Sequence, residues 1–363
     1  MYTAVSLFSG LGGLDLGFEW EDFKIIWASD ISKAAAASYP VNFRRPAVLA
    51  DIADIDPRFI PDADVIIGGP PCQSFSLVGR RAVGDPRGML VLRFVEIIAA
   101  KRPVAFVMEN VPGMAASRVN GQRLPDHLIE QFSKLGYQVA KASLLAINFL
   151  VPQLRRRLFL IGSLYGMPTP LDPARFAREK YGVQFGAFDL SARAAIGDLG
   201  TCSSKGSRVC YKAEEPSEFA KIMRRCGGDN VSLHECPRMS STDKMLAAII
   251  PPGGNYKDVP DEVATGRIKR FKATGGRTTT YGKLHPARPA YTINTYFRRP
   301  NVGCNLHYSE PRLITAREAM RFQAIPDHFE IVYSSNDERN GLIGNAVPPL
   351  MAQAVAWKVR EIL

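Results

Sequence analysis

The chain has 363 residues, with 46 Lys and Arg against 35 Asp and Glu and a formal net charge of +11. That length can bury a substantial core in one large α/β domain or in a large and a small lobe, and the excess of cations calls for an anionic partner. No segment approaches the length needed to span a bilayer, and residues 1–8 lack a basic stretch followed by a long apolar one. A soluble, cytoplasmic chain is expected.

Strand patterns at 3–8, 24–29, 65–67, 104–109, 138–145 and 157–162 alternate with helical patterns at 14–20, 34–39, 90–101 and 127–135. This alternation predicts the α/β class, with a doubly wound, mostly parallel sheet whose ligands sit at the carboxyl ends of its strands. The first strand opens into Phe8-Ser9-Gly10-Leu11-Gly12-Gly13. Glycines such as Gly10 and Gly13 let a ligand lie against the backbone and the following helix N-terminus. Asp15 stands where a dinucleotide fingerprint needs its third glycine, so a pyrophosphate is not the favoured ligand. Asp30 ends the second strand, where a carboxylate can accept from both ribose hydroxyls. Asp51 is placed to take an adenine amino group, with Ile52 against the ring. An adenosyl group without a pyrophosphate points to S-adenosyl-L-methionine, although either carboxylate alone reads equally well as a turn former at a strand end.

The run Val65-Ile66-Ile67 leaves its sheet through Gly68-Gly69-Pro70-Pro71-Cys72. Two prolines restrict the chain, so Cys72 stands on a stiffened bend that suits a nucleophile meeting its target at one angle. The alternative is a small buried apolar side chain. Residues 73–88 hold Gly79, Arg80, Arg81, Gly84 and Gly88, a composition for a hinged lid whose cations close on phosphates. After Tyr165 the rhythm decays into Pro, Gly, Ser and charge, which predicts a second, irregular lobe. Between 266 and 309 there is no Asp or Glu, while Arg298 and Arg299 are among nine cations interleaved with Tyr281, Tyr291, Tyr296 and Phe297. So one-sided a run reads as a surface for phosphates and base edges. Order returns in a helix at 315–322, capped by Thr315 and Glu318. A last helix at 348–363 is expected to cover the large lobe's sheet. The cysteines at 72, 202, 210, 226, 236 and 304 show no close pairing, so neither a disulfide nor a metal site is expected.

Ordered blocks link these features. They are Phe8-Ser9-Gly10-Leu11-Gly12-Gly13, Gly69-Pro70-Pro71-Cys72-Gln73-Ser74-Phe75-Ser76, Arg87-Gly88, Glu109-Asn110-Val111 and Gln153-Leu154-Arg155-Arg156-Arg157, then residues 312–326 and Gly344-Asn345-Ala346-Val347-Pro348. Along nearly its whole length the chain resembles the DNA cytosine-5 methyltransferases of prokaryotic modification systems. The resemblance implies a fold of the S-adenosylmethionine-dependent Rossmann-like type. Its catalytic domain would comprise 1–166 plus 328–363, and its target-recognition domain and hinge 167–327. The implied reaction moves a methyl group from S-adenosyl-L-methionine to C5 of a cytosine flipped out of a short, specific sequence in double-stranded DNA, releasing S-adenosyl-L-homocysteine.

C5 of cytosine is a poor nucleophile until the ring is activated. Cys72 would add to C6, and Glu109, its carboxyl pKa raised by burial behind an apolar strand, would hold the proton for N3. Arg155 and Arg157, two apart on an extended segment, would point toward the pocket, with Arg157 on the cytosine O2 and on Glu109 and favouring the thiolate. The family's cofactor site maps onto Phe8, Gly10, Leu11, Gly13, Asp30, Ile31, Asp51, Ile52, Pro71, Leu90, Asn345, Ala346 and Val347. DNA contacts map onto Ser76, Arg80, Arg81, Arg298 and Arg299. A monomer with no metal and no membrane contact is expected, paired with a cognate restriction endonuclease. Departures are small: Asp30 stands where a longer glutamate is common, and Ile325 replaces the usual Phe before Pro326.

Three other readings compete. A relative that methylates tRNA cytosine shares the nucleophile block, but the long basic lobe favours DNA. A catalytically silent DNA-binding protein would not need Cys72, Glu109, Arg155 and Arg157 together. A nicotinamide-linked oxidoreductase fails on the missing third glycine.

Overall fold

The β-branched runs of the N-terminal half build a seven-stranded sheet in the computed structural model. Residues 1–71, 86–119, 121–203 and 206–363 are described, with 86–89 described by their helical backbone alone. The chain divides into two units. The first comprises Met1–Phe149, Arg156–Tyr181 and Val347–Leu363, and the second Leu150–Arg155 and Gly182–Ala346.

In the first unit the chain runs β1 (Tyr2–Leu7), α1 (Gly13–Glu19), β2 (Phe23–Asp30), α2 (Lys33–Phe43), β3 (Val48–Leu49), β4 (Val65–Gly68), α3 (Pro86–Lys101) and β5 (Ala105–Asn110). A small hairpin of β6 (Arg118–Val119) and β7 (Gln122–Arg123) leads to α4 (Leu124–Lys134) and β8 (Gln138–Leu145). After β9 (Gln153–Leu154), which belongs to the second unit, come β10 (Arg156–Ser163) and α5 (Pro173–Tyr181). The sheet order is β3-β2-β1-β4-β5-β10-β8. All neighbours are parallel except β10, which runs against both β5 and β8. The expected doubly wound, mostly parallel sheet is therefore present. Its order turns back between β1 and β4, the switch point at which such sheets open a crevice at their carboxyl edge. Val5, Ile66, Phe106 and Leu160 share one face and are fully buried with Phe94 and Phe132, while Ala4, Ile67, Val107 and Phe159 are fully buried on the other, so both faces of the central strands are apolar, as parallel strands require.

The second unit has α6 (Ala192–Ile196), β11 (Val209–Cys210), α7 (Glu218–Arg224), β12 (Asn230–Val231), α8 (Ser241–Ile249), α9 (Gly266–Thr274), β13 (Ala290–Tyr291), α10 (Ala316–Phe322) and α11 (Asn336–Asn345). Its strands are two residues long, which is the irregularity expected from its composition. Thr315 and Glu318 form the expected reciprocal cap of α10: the Thr315 hydroxyl accepts from the Glu318 N–H at 3.1 Å, and the Glu318 carboxylate from the Thr315 N–H at 2.7 Å. One expectation is overturned. Cys202 and Cys236, 34 residues apart, are joined as a disulfide. Their separation in sequence hides a local pairing, in which the Ser203 N–H reaches the His234 carbonyl and the Cys236 N–H the Ser203 carbonyl, bringing the two Cα atoms to 5.1 Å.

The last helix, α12 (Pro349–Arg360), belongs to the first unit and packs on α1. Residues 167–181 also fall in that unit, because Phe176 of α5 meets both Phe149 and Trp357 at ring distances of 6.0 Å. Residues 328–346 fall in the second, where the end of α11 lies on the backbone of Asn294 and Thr295. The α1–α12 contact depends on Gly17. A Cβ there would stand 2.5 Å from both the Ala352 Cβ and the Gln353 nitrogen. On an exposed helix face Gly→Ala stabilises by about 1 kcal/mol. Gly17→Ala should instead destabilise by about 1–3 kcal/mol in urea unfolding, since backbone must move to admit the methyl group.

Candidate active site

Three chain segments emerge side by side at the carboxyl edge of β1, β4 and β5. After β1, Phe8, Gly10 and Gly12 all adopt left-handed φ values of 56°, 55° and 80°. For Phe8 that conformation costs on the order of 1–2 kcal/mol. Strain of this kind persists where surroundings impose it, commonly at ligand sites. Here the imposition is visible: Asp30 Oδ2 accepts the Gly10 N–H at 2.8 Å while its Oδ1 accepts the Ser32 N–H at 2.8 Å. Burial pushes the Asp30 carboxyl up, and these backbone donors oppose it. Among the described residues nothing lies within 4 Å of where a Gly10 Cβ would stand, so none of them packs against the loop at that point. Gly13, by contrast, touches the chain across from it, for its Cβ would meet the Val347 carbonyl at 2.1 Å. Leu11 and Ile52 are buried, Ile31 is 67% exposed, and Asp51 Oδ1 accepts the Ala53 N–H at 2.9 Å.

Asp15, which takes the place of the third glycine, is fully buried beneath this loop. Its two oxygens accept the Ser6 and Tyr39 hydroxyls, each at 2.6 Å, tying α1 to β1 and α2. Burial pushes its carboxyl up to about 6, against the lowering effect of both hydroxyls.

At the end of β5, Glu109 and Asn110 are buried. The Asn110 amide donates to the Pro70 carbonyl at 2.8 Å, bracing the turn out of β4. Gly69 is needed beside it, because a Cβ there would stand 2.9 Å from Glu109 Oε2. Antiparallel pairing explains how Arg157 arrives. Phe159 lies opposite Glu109, and Arg157, two residues before it, shares its face of the sheet. The Arg157 Nε sits 2.8 Å from Glu109 Oε1, both side chains being only 10% exposed. Burial lowers the Arg157 pKa from its usual value, and Glu109 counters it.

Of the residues expected at the site, the first unit thus joins Glu109 with Arg157, and Gly10 with Asp30. Cys72, Ser76, Arg80 and Arg81 lie outside the described residues, as does most of the expected lid. Pro71 is exposed and Leu90 is half-buried. Arg155, Asn345 and Ala346 belong to the second unit. There the Arg155 guanidinium is fully buried and donates to the carbonyls of Ile293, Gly344 and Ala346 at 2.9, 2.8 and 3.1 Å. Arg298 pairs with Asp337 at 2.8 Å, and Arg299 stacks 4.9 Å from the Tyr296 ring centroid. Gln153 was assigned no role from sequence, yet its amide is fully buried and triply bonded. Its spacing of two from Arg155 was the available signal.

The fold is of the doubly wound, Rossmann-like class, with the Gly10 loop and the Glu109–Arg157 pair at the sheet's carboxyl edge. Residues 2–361 match the model of the C-5 cytosine-specific DNA methylase family, and the chain belongs to that family. It is 31% identical to the type II methyltransferase M.NgoFVII of Neisseria gonorrhoeae, over 99% of this chain and 86% of that one. It is 32% identical to the type II methyltransferase M.XorII of Xanthomonas oryzae pv. oryzae, over 99% and 84%. Among solved structures, a protein of an E. coli prophage described as a DNA modification methyltransferase shares the fold with a TM-score of 0.69 at 23% identity, over 100% of this chain and 99% of that one. The S. pombe Dnmt2 methyltransferase shares it at 0.60 and 16%, over 100% and 98%. The protein is thus a C5 cytosine DNA methyltransferase, and no helix among its described residues is long and apolar enough to cross a membrane.

Asp15 makes the site's scaffold sensitive to pH. Its folded pKa of about 6 lies above the unfolded value of 3.8, so the folded state holds the proton more tightly. The stability linked to this group is fully present below about pH 4 and is lost as pH rises through about 6, by up to about 3 kcal/mol. Asp15→Asn cannot ionise. Urea unfolding from pH 4 to 7 should show wild type losing stability relative to the variant; parallel curves would remove Asp15 as the cause.

Proposed function

We propose that this methyltransferase takes its methyl group from S-adenosyl-L-methionine and delivers it to C5 of a cytosine swung out of a specific duplex sequence, through a covalent Cys72–C6 adduct. The single observation that carries the reading is the buried Glu109–Arg157 pair at the carboxyl edge, beside the proline turn that leads to Cys72. The cofactor fit rests on the space that the described residues leave over Gly10, the two strand-end carboxylates Asp30 and Asp51, and the exposed Ile31. Phe8, Gly10, Leu11, Gly13, Asp30, Ile31, Asp51, Ile52, Leu90 and Val347 would hold it. When bound, the group supplies a sulfonium methyl, an electrophile that cytosine C5 cannot attack unaided.

The chain's residues supply that aid. The Cys72 thiolate adds to C6, and electron density moves through the ring toward C5 and N3. Glu109 holds a proton at N3, so charge on the ring is neutralised as it builds. Arg157 fixes the Glu109 carboxyl and places a second donor edge for the cytosine O2. After transfer the C5 proton leaves to water, C6–S breaks, and the thiolate is regenerated. Swinging the base out costs a few kcal/mol, offset by cations on phosphates. Arg298 and Arg299 of the second unit would supply part of that attraction, as would Arg80 and Arg81. The two type II relatives further support a place beside a restriction endonuclease in the same cell.

Transfer of tritiated methyl groups to duplex DNA tests the whole reading, and labelling of RNA alone would overturn it. Cys72→Ala should abolish transfer and the trapped protein–DNA adduct. Glu109→Gln should slow turnover by about 10² to 10⁴ while DNA affinity stays nearly unchanged. Arg298→Ala with Arg299→Ala should weaken DNA binding and make the slope of log K against log salt shallower by up to about two; an unaltered slope would move those phosphate contacts elsewhere.

A further inference from the structure

Within the second unit, the backbone of one residue is held on both sides by side chains of a single extended segment. The Ile293 N–H donates to Gln153 Oε1 at 2.9 Å, and the Ile293 carbonyl accepts from the Arg155 guanidinium at 2.9 Å. Gln153 and Arg155 share a face because they are two apart on an extended segment. The main chain adds to this clamp. β9 and β13 pair in parallel, the Ala290 N–H reaches the Pro152 carbonyl, and the Thr292 hydroxyl donates to the Leu154 carbonyl at 2.7 Å. Gln153 is itself fixed, since its Nε2 donates to the Phe322 carbonyl at 2.8 Å and to Gln323 Oε1 at 3.0 Å, and Gln323 in turn holds the Ile343 carbonyl.

The clamp ends where a cationic turn begins. Asn294 Oδ1 accepts the Tyr296 N–H at 2.7 Å, the Arg299 N–H returns to the Tyr296 carbonyl at 2.9 Å, and Phe297 is buried as the turn's anchor. From this base Tyr296 stands 51% exposed with Arg299 stacked on its ring, and Arg298 is oriented by Asp337. Gly344 closes the far side, for a Cβ there would stand 2.5 Å from the Thr295 nitrogen. Phe297, Arg298 and Arg299 line a groove of about 690 Å³ with Arg238, Tyr333 and Arg339.

We propose that Gln153 is a positioning residue for sequence discrimination: with Arg155 it locks the Ile293 backbone, so that the turn 294–299 meets base edges in one geometry. The proposal rests on reading this turn as part of the DNA-facing surface. Discriminating one base pair from another requires donors held to within a fraction of an ångström, whereas a loosened turn adapts to several. Losing the clamp therefore broadens the methylated sequence more than it slows the chemistry.

The test is bisulfite sequencing of DNA from a host expressing wild type, Gln153→Met, Thr292→Val or Arg299→Ala at matched folded levels, verified by thermal melting. Met keeps the volume of Gln153 and removes its hydrogen bonds. The expected result is at least one relaxed position in the methylated motif, with off-motif methylation rising about tenfold relative to the wild-type motif. Thr292→Val should relax the same position to a smaller degree, and it decides the matter if Gln153→Met does not fold. An unchanged motif with uniformly lower methylation in both would reduce Gln153 to a packing residue. If Arg299→Ala relaxes the motif while both clamp variants leave it intact, the clamp alone falls. If Arg299→Ala also leaves it intact, the turn is not the reader.

Discussion

The reversal of one strand organises the first unit. Because β10 runs antiparallel to β5, the start of β10 returns to the same edge at which β5 ends. An all-parallel continuation would place the start of that strand at the opposite edge, about five residues of strand away from Glu109. The Arg157–Glu109 pair therefore follows from register rather than from a long or adaptable loop. Both partners are nearly buried, and a buried ion pair gains little stability over an apolar pair of similar volume. What such a pair does provide is a fixed carboxyl plane at a defined height above the sheet edge. The Asn110–Pro70 bond and the bare Cα of Gly69 extend that rigidity to the turn leading to Cys72.

The neighbouring loop is held on the same principle. Three left-handed residues in a span of five form a conformation that a free chain would abandon, and Asp30 retains it through the Gly10 N–H. This adds to the account of Asp30, whose oxygens each keep a lone pair beyond the backbone bonds. A shorter side chain than the family's common glutamate suits that second task, since the carboxylate has to reach back to its own loop. Asp15 buries a carboxyl under the same loop at a cost in folding free energy that its two hydroxyl donors reduce.

How much of this could be read from the sequence depends on the range of the interaction. The strands and helices of the first half and the Thr315–Glu318 cap were legible because each rests on local periodicity or local hydrogen bonding, whereas the last helix, expected to cover the sheet, packs on α1 of the first unit. Glu109 and Arg157 were legible as partners through the family's ordered blocks. What escaped was set by contacts distant in the chain. The partners of Arg155 are an example, since its guanidinium holds carbonyls 138 to 191 residues away that leave no local trace in the sequence. The Cys202–Cys236 disulfide escaped for the same reason, as no spacing rule reports that 203 and 235 lie side by side.

The charge balance shows the same division. A net charge of +11 invites the inference that the cations of the second unit face phosphates, but several are structural. Lys283 is buried and donates to the Ala247 carbonyl at 2.9 Å, and Lys272 is held by Val259 and Asp261. Arg155, Arg317 and Arg321 are fully buried. Arg317 donates to the Pro326 and Phe329 carbonyls, while Arg321 reaches the Ala195 carbonyl and is neutralised by Asp198 and Asp327. The common cause is architectural. A unit of two-residue strands and short helices leaves many carbonyls without a ladder partner, and each buried one must be satisfied. Arginine brings five donors in a planar fork and keeps its charge when buried, so a few guanidinium groups replace the missing β-ladders. The same residue type that gives the unit its positive charge thus also holds its loops in shape. Arg298 and Arg299 stand on an exposed turn rooted in such a clamp, the first paired with Asp337 and the second stacked on Tyr296.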